Sequence, residues 1–285
     1  MQTVPRPNER TKVIQHYDFL SPYYQSLWGE HLHHGYWIRG HETRGDAQVQ
    51  LIEYLARLAS IQPGARILDI GCGIGGSSLF LAKNYGAAVT GISKSPVQID
   101  MANQTAAERQ LDATFVLMDA EALHLSERFD VLWSIESISH YQDPAKFFAE
   151  AAKLLKPGGT FALTDFFRST GLPAAAKKKY IDPIENCLLV QLHELNDYTG
   201  FLKASGLRVT QCEVLNKNCA KTWDIPLDIS KKKPFWELAA KHAKECIRYM
   251  RAFQAMRAGF ASGNFVYGLM VAKLPLDGDA VSSDD

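Results

Sequence analysis

The sequence has no apolar run approaching the roughly 20 residues that carry a helix across a bilayer, which excludes a helical membrane span. It has no excess of either charge. Lys plus Arg and Asp plus Glu each number 31, so the chain lacks the positive field with which proteins displace counterions from nucleic acid, and nucleic acid is not an expected partner. Cysteine is scarce and unpaired: Cys72, Cys187, Cys212, Cys219 and Cys246 show no CxxC spacing, which argues against a disulfide framework and a zinc knuckle. Reduced, mostly buried thiols are expected. The opening MQTVPRPNER has neither a secretory apolar core nor the acid-poor amphipathic pattern of a transit peptide, so a cytoplasmic location is expected.

What is present is an ordinary globular composition, 46% hydrophobic and 22% charged, in a chain of 285 residues that fits one large core carrying a lid. Low complexity is confined to a Pro-containing arm up to about Asn8 and the polar, acidic tail LDGDAVSSDD, both expected to be poorly ordered. Between them, runs rich in β-branched and aromatic residues stand at 65–70 (ARILDI), 87–92 (AAVTGI), 113–118 (ATFVLM), 129–135 (FDVLWSI) and 159–166 (GTFALTDF). They alternate with the helical stretches SSLFLAKNYG, SPVQIDMANQTAAERQ and DPAKFFAEAAKLL. The second opens with Ser95 as cap and Pro96 in the first turn, the third with Asp143 and Pro144. This is the pattern of an α/β, doubly wound, mostly parallel sheet. After Phe167 the rhythm changes: helical potential over 174–195, a helix near 196–205, the strand LRVTQCEV, a longer amphipathic helix over 235–260 and a closing strand FVYGLMVAKL. The two helical inserts are expected to cap the sheet edge. The first sixty residues read as helices, with aromatic side chains crowded into HYDFLSPYYQSLW and HHGYW.

The strongest local signal is ILDIGCGIGGSS, in which Asp69, Gly71, Gly73, Gly75 and Gly76 end the first strand and lead into a helix. Glycines there permit a tight turn and close approach of backbone to a ligand. The string satisfies GxGxxG, yet a dinucleotide needs phosphates at the helix N-terminus and prefers an acid at the end of the second strand. Here that end reads GISKSP, and Asp69 would repel a pyrophosphate. A cationic ligand removes the conflict: S-adenosylmethionine would offer its amino group to Asp69.

The ordered set DIGCGIGG, GISKSPVQ, MDAEAL, LWSIES and LLKPGGTF resembles the class I S-adenosylmethionine-dependent methyltransferases over about 61–167. GISKSPVQ and WGEHLHHGYW resemble the tocopherol and sterol C-methyltransferase branch, and His16, Tyr17 and Asp18 resemble the entry helix of cyclopropane-forming enzymes. The resemblance implies a seven-stranded Rossmann-like sheet with four regions: a helical lid over 1–60, a cofactor-binding core over 61–168, the rest of the core with acceptor-binding cap helices over 169–275, and a disordered acidic tail over 276–285. It implies cofactor contacts from Tyr17, Asp69, Gly71, Gly73, Ser93, Lys94, Gln98, Asp119, Ala120 and Ser134. Ser93 and Lys94 replace the acid that often binds ribose; Asp119 and Ala120 would border adenine, and Ser134 the methionine portion. Tyr17, Tyr23, Tyr24 and Trp28 are candidates for ring faces against the sulfonium or the acceptor.

Glu136 and His140 lie just past the fourth strand, at the crevice end of a parallel sheet. Four apart, they would share one face of a helical turn. Glu136 is the first choice for a base or a charge-stabilising carboxylate and His140 the second, against the alternative of a polar pair capping the loop before Asp143. His31, His33 and His34 have no companion carboxylate or cysteine cluster, so no metal is expected; His33 and His34 are assigned to the acceptor pocket or to structural hydrogen bonds. Lys177–Lys179 and Lys231–Lys233 read as solvated faces, the alternative being attraction of an anionic acceptor such as a prenyl diphosphate. Asp165 and Glu185 are left unoriented, and Cys72 reads as a small packed residue.

The expected function is methyl transfer to a small, largely apolar acceptor, at carbon of an isoprenoid, sterol-like or prenylated aromatic molecule. The alternatives are N-methylation of an alkaloid-like amine and a non-catalytic module that binds S-adenosylmethionine, with a nicotinamide dehydrogenase third. SIES after the fourth strand is not the Asn/Asp-Pro-Pro-aromatic motif that holds a flipped base. The sequence leaves the oligomeric state open, a homo-oligomer included.

Overall fold

The computed structural model describes residues 29–276 except 230, 232, 234, 235, 237–239, 241 and 242. Its strands are β1 (Arg66–Ile70), β2 (Ala88–Ser93), β3 (Ala113–Leu117), β4 (Phe129–Ile135), β5 (Leu155–Arg168), β6 (Arg208–Val214) and β7 (Phe265–Lys273). They form one sheet in the order β3-β2-β1-β4-β5-β7-β6. The first five pair in parallel, and β7 inserts antiparallel between β5 and β6. Strand order reverses between β1 and β4, and the crevice at the carboxyl ends of such strands is where ligands bind.

Helices α1 (Arg44–Leu58), α2 (Gly76–Tyr85), α3 (Pro96–Arg109), α4 (Pro144–Ala152), α5 (Asp182–Leu188), α6 (Leu195–Ala204) and α7 (Ala243–Ala261) cover the sheet. The expected caps form: Ser95 accepts from the Gln98 amide and Asp143 from the Lys146 amide, each followed by proline in the first turn. Strand alternation divides the core. Ile67, Val89, Val131 and Trp133 join the layer containing Leu51, Ile52 and Leu55 of α1. Leu68, Ile70, Leu132 and Phe161 join Phe147 and Phe148 of α4. Burying each of these large side chains contributes about 1.5–3 kcal/mol, so the floor of the crevice is rigid.

Three expectations need correction. Residues 29–43 contain no helix, although the first sixty residues read as helical. Their backbone is satisfied from elsewhere: the Tyr36 amide donates to the Ala47 carbonyl and the Trp37 amide to the Asn218 carbonyl, and the helix begins only after the Thr43 cap. The fifth strand begins at Leu155 rather than 159, because LKPGG stays in the ladder through a register shift between Phe129/Val131 and their partners Leu155 and Thr160, with Gly158 at φ +77°. The 174–195 stretch is broken into a short helix Ala174–Ala176, a π turn Lys177–Ile181 and α5, which ends where Leu189 turns left-handed at φ +57°. Helix α5 packs on α7. No helix among the described residues is long and apolar enough to cross a membrane.

Candidate active site

Past Ile70 the chain turns through Gly71, Gly73 and Gly75 at φ +80°, +55° and +83°, and α2 starts at Gly76. A Cβ on Gly71 would stand 2.3 Å from Ser137 Cβ, and one on Gly76 2.5 Å from the Glu30 carbonyl oxygen, so both approaches require glycine. Asp69, 1% exposed, accepts on Oδ2 from the Ser77 and Ser78 hydroxyls at 2.9 and 2.6 Å. Its Oδ1 has no hydrogen bond among the described residues. Burial outweighs the two donors and raises the carboxyl to about 6. A buried carboxylate with one unmet oxygen on a cavity wall is a site for a cationic group.

At the end of β2, Ser93 Oγ donates to Gln98 Oε1 at 2.8 Å and accepts from the Ser95 amide at 3.2 Å. Lys94 reaches Asp119 at 3.2 Å and Glu121 at 3.5 Å. Asp119 also accepts from the Glu121 amide, capping the turn Ala120–Ala122. Ser93, Lys94, Gln98 and Ala120 line the cavity; Asp119, paired with Lys94, is not among the lining residues. Ser134 is fully buried and donates to the Ile70 carbonyl at 3.1 Å, one layer below the cavity, where Ser137 and Tyr141 form the wall.

Residues 30–34 line the cavity as a roof, with the Glu30 carbonyl and the His31 ring against Gly76 of the glycine loop. Gln48 of α1, 1% exposed, donates from Nε2 to the carbonyls of His31 and His33 at 2.6 and 2.9 Å. The Gly35 amide donates to Thr222 Oγ1. Burial lowers His31 to about 3 and lowers His33 as well. His33 Nδ1 lies 2.8 Å from the His34 carbonyl and therefore carries the proton, while its Nε2 and that of His34 have no hydrogen bond among the described residues.

Glu136 follows β4 in the left-handed region at φ +55°, a strained conformation for a residue with a side chain. Its Oε1 accepts from the His34 amide at 2.7 Å, from His34 Nδ1 at 3.2 Å and from the Tyr267 hydroxyl at 2.7 Å. Burial acts to raise this carboxyl, but the His34 imidazole and amide, with His33, more than reverse it and hold it below its ordinary value. Tyr267 Oη also lies 2.9 Å from Thr164 Oγ1, and its ring stacks on His34 with centroids 4.6 Å apart. His140 ends the turn Ile138–His140; burial lowers it to about 4, and its Nδ1 faces the Leu189 carbonyl at 3.2 Å. Both Glu136 and His140 line the cavity, but the positive φ of Glu136 breaks any helix between them, so the shared helical face expected from their spacing does not form.

The cavity has a volume of about 250 Å³. Beyond Glu136 its wall is apolar: Phe166, Leu188, Val190, Trp223, Phe253 and Met256. The His34 ring stands edge-on to Trp223 and Phe166 at 4.8 and 5.2 Å. Asp165 stays outside the cavity, accepting from the Ser139 and Phe166 amides, with burial raising it to about 7. Glu185 is likewise structural, accepting from the Leu192 amide and pairing with Lys177. Lys177 also pairs with Asp182, and Lys231 with Asp228. Tyr17, Tyr23, Tyr24 and Trp28 lie outside the described residues.

Several residues of the site were not singled out from the sequence: Gln48, Ser137, Tyr141, Thr222, Trp223 and Tyr267. A buried glutamine on the inner face of an amphipathic helix is a signal for Gln48. Tyr267 offers only a phenol in an otherwise apolar strand.

The residues present suit S-adenosylmethionine. The glycine approaches leave room where a Cβ would collide, the unmet oxygen of Asp69 suits an ammonium group, and Ser93, Lys94 and Gln98 offer polar atoms at the end of β2. A methyltransferase-domain family matches residues 68–163. The 27-O-demethylrifamycin SV methyltransferase of Amycolatopsis mediterranei is 34% identical over 227 residues, 78% of this chain and 81% of the relative. The chloroplastic tocopherol O-methyltransferase of Arabidopsis thaliana is 27% identical over 94% of this chain and 83% of its own. Among solved structures, a mycolic acid cyclopropane synthase complexed with SAH and CTAB superposes with a TM-score of 0.85 at 22% identity, covering 94% of this chain and 99% of that one. With the motifs, the sheet order and a relative of this identity in agreement, the chain belongs to the class I S-adenosylmethionine-dependent methyltransferases.

Proposed function

We propose that the protein methylates carbon in a small, largely apolar acceptor of isoprenoid, sterol-like or prenylated aromatic type. The observation that carries this reading is Glu136: a carboxylate that accepts from two distant segments, held below its ordinary pKa by His34 and His33, on a cavity lined also by aromatic and aliphatic side chains. S-adenosylmethionine supplies an electrophilic methyl group when bound. Asp69 would hold its amino group, Gly71 and Gly73 would let it approach the loop, and Ser93, Lys94, Gln98 and Ala120 would hold the nucleoside. The roof at 30–34 would shield the reacting groups from water, and alignment of two reactants in a dry cavity supplies on the order of 7–11 kcal/mol of barrier lowering.

Glu136 is a weak base and a fixed anion. Those properties suit attack by an electron-rich carbon: the cation that forms is stabilised by the carboxylate, and its proton is acidic enough for a weak base to remove. Methylation at oxygen, in line with the names of two relatives, asks for a base that can take a proton from a phenol of pKa about 10. Neither Glu136, lowered, nor His140, near 4, matches that task. Lys94 is the one lysine or arginine among the described lining residues and is already paired, which disfavours an acceptor bearing a diphosphate.

The test is incubation with labelled S-adenosylmethionine and a panel of prenylated phenols, isoprenoid alcohols and diphosphates, indoles and amines, followed by NMR of the product. A new carbon–methyl bond in an uncharged acceptor is expected. Product confined to nitrogen or oxygen, or turnover of the diphosphates alone, would overturn the reading.

A further inference from the structure

We infer that Tyr267, on the closing antiparallel strand, is a positioning residue for methyl transfer that acts through Glu136. The inference rests on the catalytic role proposed for that carboxylate. Strand β7 pairs Tyr267 with Phe166 of β5, and the phenol oxygen lies 2.7 Å from Glu136 Oε1 and 2.9 Å from Thr164 Oγ1. A phenol has one proton. The phenol donates towards both Glu136 Oε1 and Thr164 Oγ1, so Thr164, Tyr267 and Glu136 form one cluster that shares this proton and ends on the cavity wall. The same ring lies parallel to His34 at 16°, beneath the residue that supplies the other two donors to Oε1.

Tyr267 is fully buried and does not line the cavity, whereas Glu136 does. It therefore meets neither acceptor nor cofactor directly. What it controls is which oxygen of Glu136 remains available: three donors converge on Oε1, and Oε2 has no hydrogen bond among the described residues. Without the phenol, a carboxylate on a left-handed backbone has one fewer fixed partner, and rotation about its last torsion is no longer opposed from the β7 side.

The experiment is a double-mutant cycle on the full chain with Tyr267→Phe, Glu136→Gln and the pair, reading kcat by labelled methyl transfer and S-adenosylhomocysteine affinity by calorimetry. Tyr267→Phe keeps the ring and its stacking. It is expected to lower kcat about tenfold with cofactor affinity within about twofold, and to have less than about a twofold effect in the Glu136→Gln background. An equal loss from Tyr267→Phe in both backgrounds would mean a merely structural role and overturn the inference. Unchanged kcat in Tyr267→Phe with turnover lost in Glu136→Gln would overturn it while leaving Glu136 in place. Unchanged kcat in Glu136→Gln would remove the reading of the carboxylate itself.

Discussion

The amide and the Nδ1 of His34 converge on one oxygen of Glu136, at 2.7 and 3.2 Å, across a sequence separation of 102 residues. Seating the roof and fixing the carboxylate are thus one event. Gln48, which ties the same segment to α1 through two carbonyls, is part of it. Four further outcomes are expected from this arrangement.

Asp69 couples pH to both stability and cofactor binding. Its carboxyl is raised from 3.8 to about 6 in the folded chain, so its contribution to stability is full below 3.8 and is lost as pH rises through about 6. Above that, the buried anion costs on the order of 3 kcal/mol until a cation meets it. Asp69→Asn should therefore raise Tm by several degrees at pH 7.5, with the gap closing by pH 4, while S-adenosylhomocysteine binding falls. Calorimetry and thermal melts over pH 4–8 check both halves. In the wild type, cofactor affinity should strengthen as pH rises through about 6.

Gly71→Ala combines a strained backbone at φ +80° with a Cβ placed 2.3 Å from Ser137. The strain alone costs about 1–3 kcal/mol, and the collision must displace the glycine loop or the turn after Glu136. Cofactor affinity should fall by at least about tenfold, and adding Ser137→Gly should restore part of it because the two sites touch. A single variant that binds S-adenosylhomocysteine normally would contradict the geometry.

Gln48→Met keeps the bulk of the side chain but leaves the His31 and His33 carbonyls without their donor, each at a cost of about 1–3 kcal/mol. Hydrogen exchange should speed up over residues 30–36 with the central strands still protected, and KM for S-adenosylmethionine should rise. Equal loss of protection in roof and sheet would show global rather than local opening.

Trp223 forms part of the apolar wall and stands edge-on to His34. Trp223→Ala should raise KM for the acceptor by about 10–100-fold, the scale of a lost aromatic contact, with cofactor affinity unchanged. The reverse pattern would place Trp223 on the cofactor side.

Most of the fold was legible because it rests on local pattern. The strands at 65–70, 87–92, 113–118 and 129–135, and the Ser95 and Asp143 caps, follow from β-branched runs and from hydroxyl or carboxyl groups next to proline. The roof was not, because Gly29, Gly35 and Gly40 interrupt an aromatic segment whose backbone partners lie outside it, one of them, Asn218, far along the chain. The site divides in the same way. Gly71, Asp69 and Glu136 stand at strand ends, where topology alone places ligands. The His34–Glu136–Tyr267 contact joins three segments that only the closed sheet brings together, and a tyrosine within FVYGLMV reads as core. Spacing also misled at Glu136 and His140, since a left-handed residue cannot continue a helical turn.

The most direct measurement is kcat of Glu136→Gln at neutral pH beside its S-adenosylhomocysteine affinity. The amide keeps an oxygen for His34 and Tyr267 but removes the charge. Turnover should fall by about 100-fold or more with cofactor affinity changed less than about threefold, as for a group that acts on charge in the transition state. Turnover within about twofold of the wild type, in a variant that folds and binds the cofactor, would contradict the account.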